Sequence, residues 1–354
     1  MIGGVSSYVA QLAAALRPAL SVRVLTYPAP LVRLESGGRR NPLRYFLHGL
    51  FILYAVAAAV RMRGRHRRLV VHSHSATFCL LVAWVGKALG ATGVHTLHSP
   101  PRGPSWILRR LGPSLDGVAF VSPSLRDAYV QATGIRNGHI AILPCAVSPV
   151  LPVGTGSRES RRRSIAAEIG FPPDAFVVLF VGRVVEDKGV HVLAEAASRF
   201  GESAFAFLVA GPIGPSAADR AYAERLRALA GRARWHLLGP LPPNRLDALL
   251  RIADVAVVPS VWAEPAGMVA AEAFAHGVPV IASRIGGLPY IVPDGEAGIL
   301  VPPGDAEALV ESMRRLAADP ALRARLSAGA LAQAQRRHSP EAFATGHRLF
   351  YRTT

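Results

Sequence analysis

Short apolar runs rich in β-branched residues alternate along this 354-residue chain with longer stretches in which apolar residues recur every three or four positions. The runs read as buried parallel strands and the longer stretches as helices covering them, so the chain reads as α/β, a succession of βαβ units. In the first half, strands are predicted at Val22–Leu25, Leu69–His72, Val94–Leu97, Val118–Val121 and Ile140–Leu143. Helical patterns lie between them over Val5–Leu16, Leu43–Met62, Thr77–Leu89 and Ser124–Ala132. In the second half, strands are predicted at Val177–Val181, Phe205–Ala210, Trp235–Leu238, Val255–Val258 and Val278–Ala282, with helices near 189–199, 217–230, 244–252, 267–275, 305–317 and 321–336.

Between the two five-strand series lies a stretch rich in Gly, Ser, Pro and Arg, Leu151–Pro173, with a short helical piece at Ser164–Ile169. Such a bridge favours two domains over one large sheet. The expected organisation is a first domain over 1–150, a linker over 151–173, a second domain over 174–337, and a helix over 338–354 packing back toward the first domain. A doubly wound domain ordinarily opens with a strand that delivers the chain into its glycine turn. Here Met1-Ile2 runs straight into Gly3-Gly4 and a helix, so the first strand is expected to be missing, or to be encoded upstream of this start.

Composition narrows the class. Hydrophobic residues make up 51% and charged residues 18%, a folded composition. Two cysteines, Cys79 and Cys145, are too few for a disulfide framework and lack the spacing of a zinc or redox site, which points to a reducing, cytoplasmic compartment. No secretory leader is expected from the first residues. The longest apolar run, Tyr45–Val60, is 16 residues and is interrupted by His48 and Gly49, short of the about 20 that a membrane span needs. It reads as a buried or surface-lying helix. The formal net charge is +17 and it is unevenly placed: residues 1–150 hold 17 Lys/Arg against Glu35, Asp116 and Asp127. The first half therefore meets an anionic partner, either an anionic acceptor or an anionic membrane surface on the inner face of the cell membrane.

Two segments carry chemistry. In Pro259-Ser-Val-Trp-Ala-Glu264-Pro-Ala-Gly267-Met268-Val269-Ala-Ala-Glu272, a strand ends at Pro259 and a helix opens near Gly267, whose free N–H groups form an anion site. Glu264 and Glu272 are eight residues apart, which on a continuous helix is about 12 Å along the axis, the reach from a ribose to a sugar beyond a diphosphate. The second segment, Val181-Gly182-Arg183-Val-Val-Glu-Asp-Lys188-Gly189, sets two cations where a strand turns into its helix. That is the carboxyl edge where α/β sheets bind ligands. The chain holds no Asp-x-Asp pair to bridge a divalent cation to a diphosphate.

With Ser283-Arg-Ile-Gly286-Gly287, His72-Ser-His74, Thr96-Leu-His98 and the Ser122 to Arg126 region, these segments resemble glycosyltransferase family 4 along nearly the whole chain. The resemblance implies the GT-B fold, two Rossmann-like domains facing across a cleft. It implies a retaining glycosyltransferase that uses a UDP-, GDP- or ADP-linked sugar as donor substrate, without a cofactor or an obligatory metal, in glycolipid, polysaccharide or other glycoconjugate synthesis. Arg183 and Lys188 would then hold the donor diphosphate and Glu272 the ribose hydroxyls. Glu264 and the backbone of Gly267, Met268 and Val269 would hold the donor sugar. His98 would line the reaction centre, and Gly3 and Gly4 would approach the diphosphate or sugar from the first domain.

The chain departs from the family pattern at Pro144-Cys145-Ala146-Val147-Ser148, at Ala266 and at Tyr290, expected to alter the interdomain hinge, widen the sugar pocket and replace a common acid, respectively. Three other classes compete. A catalytically silent nucleotide-sugar-binding protein follows if the first domain is incomplete. A nucleic-acid-binding protein needs aromatics interleaved with its basic residues, and Arg61–Arg68 has no aromatic platform. A dinucleotide oxidoreductase needs G-x-G-x-x-G after a strand, which is absent.

Overall fold

A parallel strand buried on both faces must be apolar at successive positions, and the sheets here are built from such runs. The computed structural model describes residues 4–25, 42–64, 68–74, 79–100, 105–133, 139–147, 157–202 and 204–354. The chain divides into two units, Met1–Cys145 together with Pro340–Thr354, and Ala146–Ser339.

In the first unit, β1 (Val70–His74), β2 (Thr92–Leu97), β3 (Gly117–Phe120) and β4 (His139–Ile142) form a parallel sheet in sequence order. Helices α1 (Gly4–Leu16), α2 (Pro42–Arg63), α3 (Cys79–Ala88), α4 (Ser105–Leu111) and α5 (Pro123–Thr133) accompany it. The predicted strand at Val22–Leu25 does not form, and β1 is the first strand among the described residues. The backbone of residues 22–25 finds no ladder partner among the described residues and Val24 is exposed: an apolar run becomes a strand only where a neighbouring backbone takes its hydrogen bonds. Gly3 lies outside the described residues, and Gly4 opens α1. The first turn of the helix predicted from Thr77 also lies outside them, and α3 begins at Cys79.

The second unit holds six parallel strands: β5 (Phe176–Val181), β6 (Phe205–Ala210), β7 (Arg234–Gly239), β8 (Val255–Val258), β9 (Val280–Ser283) and β10 (Gly298–Val301). Their order across the sheet is β10-β9-β8-β5-β6-β7. Alternation along β5 sends Val177 and Leu179 into one apolar layer and Phe176, Val178 and Phe180 into the other. Helices α6 (Arg158–Ile169), α7 (Val190–Ser198), α8 (Ala217–Ala230), α9 (Pro243–Ile252), α10 (Met268–Ala275), α11 (Leu288–Ile291), α12 (Ala306–Ala318) and α13 (Pro320–Gln333) cover the sheet. Several begin at side-chain caps: Ser216 and Asp219 form a capping box at α8, and Asp305 and Asp319 accept N–H groups at the heads of α12 and α13. Three short elements fall outside the predicted set: α4, α11 and β10. The terminal helix α14 (Pro340–Thr353) belongs to the first unit, where it packs on α1.

Helix α6 starts well before the predicted Ser164, because Ser157 caps it by accepting the Ser160 N–H. Its arginines are tied to the sheet. Arg162 and Arg158 converge on Asp254, at 2.8 and 3.2 Å, and Asp254 also accepts the Val177 N–H of β5 at 2.8 Å. Arg162 and Asp254 are both well buried. Desolvation raises the Asp254 pKa, but hydrogen bonds from Arg162 and Val177 and the two arginine charges outweigh it, and the net shift is downward. This contribution to stability is therefore complete above the ordinary value of 3.8 and is lost as pH falls through the lowered folded-state value. Removing one partner of a buried pair typically costs about 3–5 kcal/mol. Asp254→Ala is expected to lower the urea midpoint accordingly at neutral pH, and to flatten the acid limb of the wild-type stability profile. A midpoint unchanged at neutral pH would show that α6 is held by other contacts.

Candidate functional site

In the second unit, strand order reverses direction between β5 and β8. Connections from β5 run outward through β6 to β7, while β8 to β10 lie on the other side. At such a point the loops leaving the two central strands diverge and open a crevice at their carboxyl ends. The Gly182–Gly189 loop leaves β5 and the Pro259–Gly267 loop leaves β8.

Backbone contacts fasten these loops together. The Val261 N–H donates to Asp187 O at 3.0 Å. Gly189 has φ +66°, and a Cβ there would lie 1.8 Å from the Pro259 carbonyl oxygen, so a side chain cannot be accommodated without parting the loops. A third loop, after β9, closes on the same stretch. The Gly287 N–H donates to Glu264 O at 2.6 Å, and a Cβ on Gly286, at φ +60°, would lie 2.5 Å from Glu264 N. The three glycine-bearing motifs of the sequence thus meet on one segment of backbone, the one that presents Glu264.

Side chains from both central loops converge there. Lys188 Nζ forms an ion pair with Glu264 Oε2, and the Ser260 hydroxyl donates to the same oxygen at 3.3 Å. Lys188 also lies over the Trp262 ring, 5.7 Å from its centroid, while Trp262 Nε1 is buried without an acceptor among the described residues. Arg183 is exposed and makes no ion pair or side-chain hydrogen bond among the described residues. Its guanidinium is therefore open to an anion, whereas the Lys188 ammonium is shared with Glu264.

Helix α10 begins at Met268, with Gly267 as its N-cap at φ +54°. The Glu264–Glu272 stretch is therefore not one helix, and the axial separation expected for a continuous helix does not apply: Pro265 and Gly267 hold Glu264 in a loop that Gly286 and Gly287 buttress. The Met268 and Val269 N–H groups lie in the first turn, where no preceding carbonyl serves them. Glu272, in the second turn, is part-buried, and its carboxylate has no hydrogen bond or ion pair among the described residues. Burial raises its pKa, and the charge of His276 opposes that rise. His276 itself bridges the Glu272 carbonyl and Asp247 Oδ1, each at 2.9 Å, and Asp247 also accepts from Arg251 at 2.6 Å.

The first unit holds a separate cluster at the carboxyl ends of β1 and β2. His98 Nε2 lies 3.2 Å from His74 Nδ1, and the His98 ring meets Tyr8 edge-on at 4.5 Å. The Tyr8 hydroxyl lies 3.0 Å from His347 Nε2, and His347 Nδ1 is 2.9 Å from Phe343 O. Desolvation by burial, reinforced by His95 and His347, pulls the His98 pKa down to about 3; burial, against the opposing bond to Phe343, takes His347 down to about 4. Both rings are neutral at physiological pH. His347 then donates from Nδ1 to the carbonyl and accepts the Tyr8 proton at Nε2. His72 completes the cluster through Tyr351, at 2.6 Å, and Thr96, at 2.7 Å. Ser122 is fully buried and receives the Leu125 N–H at the start of α5, at 3.4 Å, while Arg126 pairs with Asp127 at the surface.

The structure brings together Lys188, Glu264 and the head of α10, and holds His98 apart from them in sequence and in unit. Sequence reading missed Ser260 and Trp262, which sit inside the motif and were findable by asking what neutralises Lys188. It also missed Asp247, Tyr8 and His347, for which no spacing signal exists, since each reaches its partner through tertiary packing.

Comparison with known proteins gives the family. The model described as Glycosyltransferase Family 4 matches residues 2–150, and the model described as Glycosyl transferases group 1 matches residues 161–333. The D-inositol 3-phosphate glycosyltransferase of Acidothermus cellulolyticus is 33% identical, over 95% of this chain and 82% of its own. The alpha-maltose-1-phosphate synthase of Mycolicibacterium smegmatis is 31% identical, over 90% and 87%. Among solved structures, sucrose-phosphate synthase from Thermosynechococcus elongatus superposes with a TM-score of 0.73 at 26% identity, covering 99% of this chain and 93% of that one. Anabaena HepE in complex with UDP and glucose shares the fold, with a TM-score of 0.76 at 20% identity over 100% and 97% of the two chains. With family models matching both halves and an identity of one third sustained along most of the chain, this protein is a member of glycosyltransferase family 4, a glycosyltransferase of GT-B architecture.

Proposed function

We propose that this enzyme transfers a hexosyl group from a nucleotide sugar to an acceptor hydroxyl with retention of configuration, in the synthesis of a glycolipid, polysaccharide or other glycoconjugate. One observation carries the reading: the Lys188–Glu264 pair stands at the strand-order reversal, near exposed Arg183 and the head of α10. That set matches a diphosphate flanked by a ribose on one side and a sugar on the other. Arg183 and Lys188 take the diphosphate, Glu272 accepts ribose hydroxyls, and Glu264 with the backbone of Gly267, Met268 and Val269 takes the sugar. The anomeric carbon exchanges its bond to the diphosphate for a bond to the acceptor oxygen. The diphosphate departs with the electron pair, and the acceptor proton leaves with it. The two cations and the N–H groups of α10 stabilise that leaving charge, which is the term most effective at lowering such a barrier. His98, neutral and hydrogen-bonded to His74, serves as a hydrogen-bonding partner of the reacting sugar rather than as an acid. Solved Anabaena HepE complexes containing UDP and UDP-glucose favour a uridine donor.

A turnover screen with UDP-, GDP- and ADP-sugars tests the reading. Its acceptor set would include a phosphorylated inositol and a sugar 1-phosphate, after the names of the relatives, and a polyprenyl lipid. Absence of turnover and of thermal stabilisation with all three donor classes would reject it, because a bound donor raises stability by mass action.

Two sets of variants separate the assigned roles. Loss of one charge-assisted contact is worth about 1.5–3 kcal/mol, so Arg183→Ala and Lys188→Ala are each expected to reduce kcat/KM by roughly 10- to 150-fold with an unchanged circular dichroism spectrum. Wild-type kinetics in both would remove the diphosphate assignment. Glu264→Gln is expected to lower kcat while sparing affinity for the free nucleoside diphosphate, and Glu272→Ala to weaken that affinity. Calorimetric titration distinguishes them, and an equal loss of affinity in both variants would contradict the assignment. Because burial raises the Glu272 pKa above the ordinary 4.5, wild-type nucleotide affinity should begin to fall, as pH is lowered, before an exposed glutamate would titrate.

A further inference from the structure

Exposed apolar side chains are distributed between the units as unevenly as charge is between the halves of the sequence. Of the eleven large apolar side chains that are exposed among the described residues, ten lie in the first unit, Leu331 being the exception. Four of them, Leu50, Leu53, Tyr54 and Val60, lie on α2. Their spacing is helical: positions 50, 53, 54, 57, 60 and 61 are exposed, while Ala55 and Ala58 are buried. This helix turns Ala55 and Ala58 inward and Leu50, Leu53, Tyr54 and Val60 outward, so part of its apolar bulk faces away from the core. Leu53 is 65% exposed.

The same face is followed by cations and is free of anions. Arg61, on the face itself, and Arg68, just beyond the helix, are both exposed. No Asp or Glu occurs anywhere between Glu35 and Asp116. Helix α3, which packs against α2, leaves Trp84 exposed, and α4, which packs against α3, leaves Trp106 64% exposed. Trp and Tyr in such positions suit a boundary that is apolar on one side and wet on the other. Among the described residues no helix is long and apolar enough to cross a membrane.

We propose that the outward face of α2, with Leu50, Leu53, Tyr54 and Val60 flanked by Arg61 and Arg68, docks in the plane of an anionic lipid surface. Charge selects that occupant over a second copy of this chain, since two copies of this face would bring arginines together with no acid to pair them. Apolar insertion and attraction to anionic headgroups add, which is how a helix binds a bilayer without spanning it. The inference stands apart from the donor-site reading, because it concerns a surface that takes no part in holding the nucleotide sugar.

Flotation of the full chain with phosphatidylcholine vesicles, alone or containing phosphatidylglycerol, is the test. Binding is expected only with phosphatidylglycerol present, and it should fall as salt shortens the screening length from about 10 Å at 0.1 M to about 3 Å at 1 M. Leu53→Asp/Tyr54→Asp should abolish flotation, and Arg61→Glu and Arg68→Glu should each weaken it by about fivefold or more. Circular dichroism and UDP binding should match wild type in all of them, since these side chains are exposed. The proposal is overturned if the chain ignores lipid charge, fails to float, or floats equally well after the Leu53/Tyr54 substitutions. It is also overturned if light scattering shows that those substitutions convert a dimer to a monomer.

Discussion

The architecture of the candidate site depends on how closely three loops approach at the ends of β5, β8 and β9. Each contact is made by backbone against backbone: Gly189 against the Pro259 carbonyl, and Gly286 and Gly287 against the peptide groups of Glu264. A Cβ at Gly189 or Gly286 would fall inside van der Waals contact, so the closeness is written into the residue type. Its consequence is positional. Lys188 and Glu264, 76 residues apart, are brought into an ion pair because the glycines beside each let their loops touch. Arg183, one residue after Gly182, is left outside this lock and exposed.

The two units use burial differently. In the second, buried charge is paired: Asp254 is surrounded by Arg158, Arg162 and a backbone N–H, and Asp247 by Arg251 and His276. Desolvation penalises these carboxylates, and the donors around them more than offset it. Glu272 is the exception, a part-buried carboxylate raised by desolvation and without such donors. In the first unit, the titratable groups gathered at the ends of β1 and β2 are imidazoles and phenols, which escape the penalty by remaining neutral. His72, His74, His98 and His347 all have lowered pKa values for that reason first, and each then serves as a neutral donor or acceptor linking β1 and β2 to α1 and α14. An acid placed among them would pair with an imidazolium and change the chemistry of the cluster.

Most strands were legible because a two-faced parallel sheet demands continuous apolar runs: β5, β6 and β8 match their predicted spans to within a residue. The failures have separate causes. Val22–Leu25 has strand composition and no partner, and composition says nothing about partners. Strand β10 and helix α11 lie outside the predicted set, and β10 is fixed by contacts such as Leu300 N–H to Asp294 Oδ1 at 2.9 Å. The helix expected near 267–275 forms as Met268–Ala275 with Gly267 as its left-handed cap, so the about 12 Å that a continuous helix from Glu264 to Glu272 would span does not apply.

The sequence by itself determined the class of fold, the family and the identity of the charged residues that flank the two central loops. These follow from local pattern: periodicity sets the elements, and glycines beside Lys188 and before Met268 mark where the chain must turn tightly. It also determined the excess of cations in the first half, which is a matter of counting. Tertiary structure alone decided which charges neutralise one another and which remain open. Among the described residues Lys188 is paired and Arg183 is not, Glu264 is clasped by a third loop, and Asp247 reaches His276 from another helix. It alone decided that α2 turns Leu53 and Tyr54 outward, because a helix has no outside until something packs on its other face. Pairing, burial and exposure are relations between residues distant along the chain, and no local pattern encodes them.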